Sequence, residues 1–127
     1  MRDPMQILQD YFGYSSFRPG QKELVGGLLA GRDVLGILPT GAGKSICYQV
    51  PALAQDGVTL VISPLISLMK DQVASLIQSG VKAAYLNSSL TPGQLRLAQE
   101  RAAQGWYKII YIAPERLLTE GFARVTR

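Results

Sequence analysis

A chain of 127 residues with 47% hydrophobic and 17% charged side chains suits one compact globular domain and excludes both a disordered chain and a two-domain one. Thirteen Lys and Arg against nine Asp and Glu leave a formal charge of +4, which suits a polyanionic partner without identifying one. The single cysteine, Cys47, rules out an internal disulfide, and the lack of histidine rules out a histidine-ligated zinc site and a histidine base.

In chain order, Met1 to Gln9 carries acid and proline where a signal peptide would carry an apolar core. Asp3-Pro4 predicts a short helix through Phe12, and Pro19 opens another that ends near Gly31. Val34 to Leu38 is the first β-type run, followed by a helix-compatible stretch from Ile46 to Ala54, and Val58 to Ile62 is the second run. Leu65, Leu68, Met69, Val73, Leu76 and Ile77 then recur at three- and four-residue spacing, the mark of an amphipathic helix packed on a sheet, with Gly80 as its left-handed stop. Ala83 to Leu86 is the third run. In Thr91-Pro92-Gly93-Gln94 the threonine hydroxyl can cap the Gln94 amide while the glutamine side chain reaches back, so a helix starts there and runs to about Gly105.

Ile109 to Ile112 is the fourth run, and with Ala113 it forms the longest apolar stretch, far below the roughly 20 residues a bilayer span needs. A soluble, cytosolic protein with no membrane partner is expected. The near-continuous apolarity of the four runs predicts strands buried on both faces, and their alternation with helices predicts a mostly parallel sheet. The fold class is α/β, in a single domain without repeat or linker.

The chemistry centres on Leu38-Pro39-Thr40-Gly41-Ala42-Gly43-Lys44-Ser45, between the first run and the helix-compatible stretch. A Gly-Lys-Ser/Thr triplet alone arises by chance in about one chain of this length in fifteen, but its strand-to-helix setting is what a phosphate-binding loop requires. Gly41 and Gly43 let the backbone curl so that the amides from Gly41 to Ser45 point inward, and the next helix adds the positive end of its dipole. Lys44 would neutralise β- and γ-phosphates and the Ser45 hydroxyl would help hold Mg2+, so Thr40, Gly41, Ala42, Gly43, Lys44 and Ser45 form a candidate site for magnesium ATP. Leu38 stands where the usual first glycine would be, which disfavours a small-molecule kinase.

Four blocks, Phe12 to Glu23, Leu38 to Gln49, Val61 to Val73 and Tyr111 to Leu117, together resemble the first helicase lobe of RecQ-type DNA helicases over nearly the whole chain. The resemblance implies a RecA-like P-loop fold and an ATP-dependent 3′ to 5′ DNA helicase of repair and recombination, working at the bacterial nucleoid on single-stranded and partly duplex DNA. It implies that Gln21 reads the adenine edge, which a carboxamide with one donor and one acceptor face suits, and that Tyr14 and Arg18 sandwich the base. The plain alternatives are an exposed helix residue for Gln21 and a loop anchor for Tyr14.

The resemblance further implies that loops after the later strands grip DNA through Ser63, Pro64, Lys70, Asn87, Pro114 and Glu115, all at the carboxyl edge where open parallel sheets place ligands. A solvated helix face for Lys70, turn chemistry for Asn87 and helix capping for Glu115 are the competing explanations. Cys47 is expected to be a small buried hydrophobe and Trp106 a packing residue with no basic partner beyond Lys108. None of Asp3, Asp10, Asp33, Asp56 and Asp71 ends an apolar run in the Asp-Glu-x-His manner of the family. The chain is therefore expected to be the amino-terminal part of lobe 1, stopping before that acidic block. The alternative is a module that binds ATP and DNA without hydrolysis.

Overall fold

The computed structural model describes residues 2–36, 44–64, 66–87 and 90–114. They form two compact units, one up to Asp56 and one from Gly57 onward.

The first unit is helical. Helix α1 (Pro4–Phe12) starts where Asp3, in extended conformation, accepts a hydrogen bond from the Met5 amide (3.3 Å), with Pro4 placed where no amide is needed. It stops at Gly13, whose φ of 75° is the left-handed region that favours glycine, and the amides of Gly13 and Tyr14 close the end on the carbonyls of Gln9 and Leu8. Helix α2 (Gln21–Leu29) begins two residues after Pro19, because Gly20 takes a φ of 87° and turns the chain first. Helix α3 (Ile46–Ala54) is almost wholly buried and packs against α1 and α2, which fits its high apolar content, and it carries Pro51 in its interior.

The first β-type run does not form a strand where it is described. Val34, Leu35 and Gly36 carry no ladder bonds, and Leu35 is 88% exposed; Ile37 and Leu38 lie outside the described residues. An apolar run becomes a strand only beside a partner that supplies amides and carbonyls, and Val34 and Gly36 lie on α2 instead. Its closeness to α2 depends on two glycines. A Cβ on Gly27 would stand 2.6 Å from Val34 Cγ1, and one on Gly36 would stand 2.5 Å from Leu24 Cδ1.

The second unit is α/β, the class expected. Strands β1 (Thr59–Ile62), β2 (Ala83–Leu86) and β3 (Ile109–Ile112) form a parallel sheet in the order β1-β3-β2, and helices α4 (Ile66–Gln78) and α5 (Pro92–Ala103) make the crossovers that parallel pairing demands. The central strand β3 is buried along its whole length, whereas β1 at the edge leaves Ile62 54% exposed. Side chains alternate between the two faces. On one, Leu86, Ile110 and Ile112 pack with Ala102, Ala98 and Leu95 of α5, each fully buried isoleucine contributing about 1.5–3 kcal/mol. On the other, α4 sets Met69, Val73 and Leu76 toward the core and leaves Leu68 and Ile77 about half exposed. Helix α5 opens with the expected capping box: the Gln94 amide donates to Thr91 Oγ1 (3.2 Å) and the Thr91 amide to Gln94 Oε1 (2.9 Å).

Candidate nucleotide and nucleic-acid sites

The nucleotide-site candidates of the first unit fall on its helix ends. Gly13 turns the chain out of α1, so Tyr14 is held by its amide on Leu8 O (3.3 Å) while the residue is 49% exposed, as a stacking surface requires. Arg18 and Gln21 are tied together. The Arg18 amide donates to Gln21 Oε1 (2.7 Å) and the Gln21 amide to Arg18 O (3.1 Å). Gln21 is buried at the first position of α2, which sets aside the exposed helix residue as its explanation. The bond to Arg18 orients the carboxamide, with the oxygen toward the preceding turn.

Lys44 and Ser45 lead into α3. The Lys44 side chain is exposed, and its carbonyl accepts from the Cys47 amide (3.1 Å). Ser45 has helical φ and ψ of −61° and −33°, its carbonyl accepts from the Gln49 amide (3.0 Å), and its hydroxyl makes no capping bond to the helix. The usual competitor for a serine at a helix start, its own helix, therefore leaves this hydroxyl unused. An exposed ammonium beside such a hydroxyl, at the positive end of a nine-residue helix, is a donor set that fits phosphate and a hard cation. Thr40, Gly41, Ala42 and Gly43 lie outside the described residues. Among the described residues no group of three or more His, Cys, Asp or Glu could hold a metal by itself, so a magnesium ion here would share its shell among the Ser45 hydroxyl, phosphate oxygens and several waters. Cys47 is buried as expected, and burial pushes its thiol pKa up while its backbone hydrogen bond pulls it down more weakly.

In the second unit the sheet register itself gathers the nucleic-acid candidates. Ile62, Leu86 and Ile112 share one row, so Ser63, Asn87 and Ala113 follow side by side at the carboxyl edge. The Ser63 amide bonds to Ile112 O (3.1 Å) and the Ala113 amide to Leu86 O (3.0 Å). Pro64 and Pro114 are exposed just beyond, and Lys70 is exposed in the second turn of α4. Asn87 differs. It is fully buried, with Nδ2 directed at Met69 Sδ (3.5 Å), so its side chain ties the β2 end to α4. Glu115 lies outside the described residues.

Trp106 is more than the packing residue expected. It is 47% exposed, with Lys82 Nζ 4.2 Å and Arg101 Cζ 5.4 Å from its ring centroid. The basic partners come from the ends of other elements, so a search of its immediate neighbours in the chain misses them.

Residues 18–126 match the family described as DEAD/DEAH box helicase. The chain is 50% identical over 118 residues to ATP-dependent DNA helicase RecQ of Haemophilus influenzae, covering 93% of this chain and 19% of that protein. It is 48% identical over 120 residues to the protein of the same name from Bacillus subtilis, covering 94% and 20%. The Synechocystis sp. protein of that name is 46% identical over 115 residues, covering 91% and 24%. The resemblance carried by the four sequence blocks is borne out, and the chain spans about a fifth of the length of the curated relatives it matches.

Proposed function

The chain belongs to the DEAD/DEAH box helicase family, whose fold is RecA-like, and from that premise we propose that it supplies the amino-terminal part of the first lobe of a RecQ-type, ATP-dependent DNA helicase. The observation that carries the nucleotide site is the Lys44–Ser45 entry to α3, an exposed ammonium next to a hydroxyl that its helix does not use. Lys44 would neutralise the terminal phosphates of ATP, and Ser45 would complete the shell of a phosphate-bound Mg2+. Gln21, oriented by the Arg18 amide, would read adenine, with Tyr14 and Arg18 flanking the base.

Single-stranded DNA would lie along the carboxyl edge, its phosphates meeting the Ser63 hydroxyl, amides beyond Pro64 and Pro114, and the Lys70 ammonium. Asn87 would act from behind, holding the turn after β2 in place. Two lobes closing on ATP would move this grip along one strand in the 3′ to 5′ direction, serving repair and recombination at the nucleoid. In a protein carrying this lobe, Lys44→Ala is expected to abolish ATP-dependent unwinding of a duplex with a single-stranded tail. Normal unwinding by that variant would refute the assignment.

A second reading has its own observation. Hydrolysis in this family needs a carboxylate pair at a strand end, and β1, β2 and β3 run instead into Ser63, Asn87 and Ala113. The 127-residue chain alone would then bind ATP and DNA without turnover. Magnesium-dependent phosphate release by the purified chain, stimulated by single-stranded DNA, would dismiss that reading.

A further inference from the structure

A groove along the outer edge of β2 belongs to none of these sites. It encloses about 540 Å³ between Val73 and Ile77 of α4 on one side and Ala98 and Arg101 of α5 on the other. Among the described residues β2 pairs with β3 alone. The carbonyls of Lys82 and Leu86 point to β3, accepting from the amides of Lys108 (2.8 Å) and Ala113 (3.0 Å). By the alternation of a parallel ladder, the amides and carbonyls of Ala83 and Tyr85 face the opposite way, into the groove. Trp106 stands at the amino-terminal end of the strand with Lys82 and Arg101 against its ring, an attraction that keeps both cations there, and among the described residues no acidic side chain lines the groove.

We propose that this groove docks an extended acidic peptide from a partner protein, which adds to β2 as a further strand and sets its carboxylates on Lys82 and Arg101. The open edge offers main-chain hydrogen bonds, the apolar walls take alternate side chains, and the two cations gathered at Trp106 select negative charge. Single-stranded nucleic acid suits the groove less well, because the indole already carries two cations against its ring and the walls beside it are apolar.

Trp106 is the sole tryptophan, so its emission reports occupancy directly. The 127-residue chain would be titrated with acetyl-Asp-Glu-Val-Thr-Val-Thr-amide and with the reversed sequence, which cover both strand polarities. At least one probe is expected to change Trp106 emission saturably, and binding should weaken about tenfold or more in the Lys82→Gln, Arg101→Gln double variant. Both side chains are exposed, and an unchanged circular dichroism spectrum would confirm the fold. Added salt should weaken acidic-probe binding to the unaltered chain, a check that needs no variant. The proposal is overturned if neither acidic probe alters the emission, or if lysine-for-acid counterparts bind equally. It is overturned equally if an oligothymidylate binds there in their place.

Discussion

Lys44 and Cys47 stand three residues apart and answer to opposite environments: the ammonium is in water, while the thiol is buried inside the helix that the lysine introduces. Because burial raises the folded thiol above its ordinary pKa, the neutral form contributes stability that is complete below the ordinary thiol range. That contribution is lost as pH rises through the folded value. A thiol reagent applied across alkaline pH is therefore expected to modify the native chain more slowly than the denatured chain at every pH. Equal rates would mean that Cys47 ionises freely. Its burial was legible in the sequence, since a lone cysteine among Ile46, Tyr48 and Val50 has little else to do. The inward turn of Asn87 was not, because its partner Met69 comes from another element.

Among elements, α2 holds the sharpest internal contrast. Gly26 and Gly27 are neighbours in one helix, but a Cβ on Gly26 meets nothing within 4 Å, whereas one on Gly27 runs into the stiff, β-branched Val34 at 2.6 Å. Gly26→Ala is expected to raise stability by about 0.5–1 kcal/mol through helix propensity, and Gly27→Ala to lower it by about 1–3 kcal/mol through overpacking. Urea denaturation of the two variants checks both signs, and equal shifts would mean that Val34 does not lie on α2. Helix ends were the most legible features, since Asp3, Gly80 and the Thr91–Gln94 box act within a turn of the chain. Val34 to Gly36 misled for the opposite reason: apolarity states that a segment seeks cover, and only a distant partner decides whether the cover is a strand or a helix face.

For the whole molecule, the parallel register determines which residues can work together. It aligns Ser63, Asn87 and Ala113 at one edge and sets Lys82 beside the turn that carries Trp106 at the other. The carboxyl edge was foreseeable from strand-helix alternation alone, because every parallel strand delivers its following loop to the same side. The tryptophan cluster needed the strand order, in which β2 is the outer neighbour of β3. All the nucleotide chemistry rests on the entry to α3, and calorimetric titration of the 127-residue chain with magnesium ATP tests it most directly. Saturable binding that needs magnesium and falls about tenfold or more in Lys44→Ala, with circular dichroism unchanged, is the expected result. Equal affinity of the two chains would contradict a phosphate grip at Lys44.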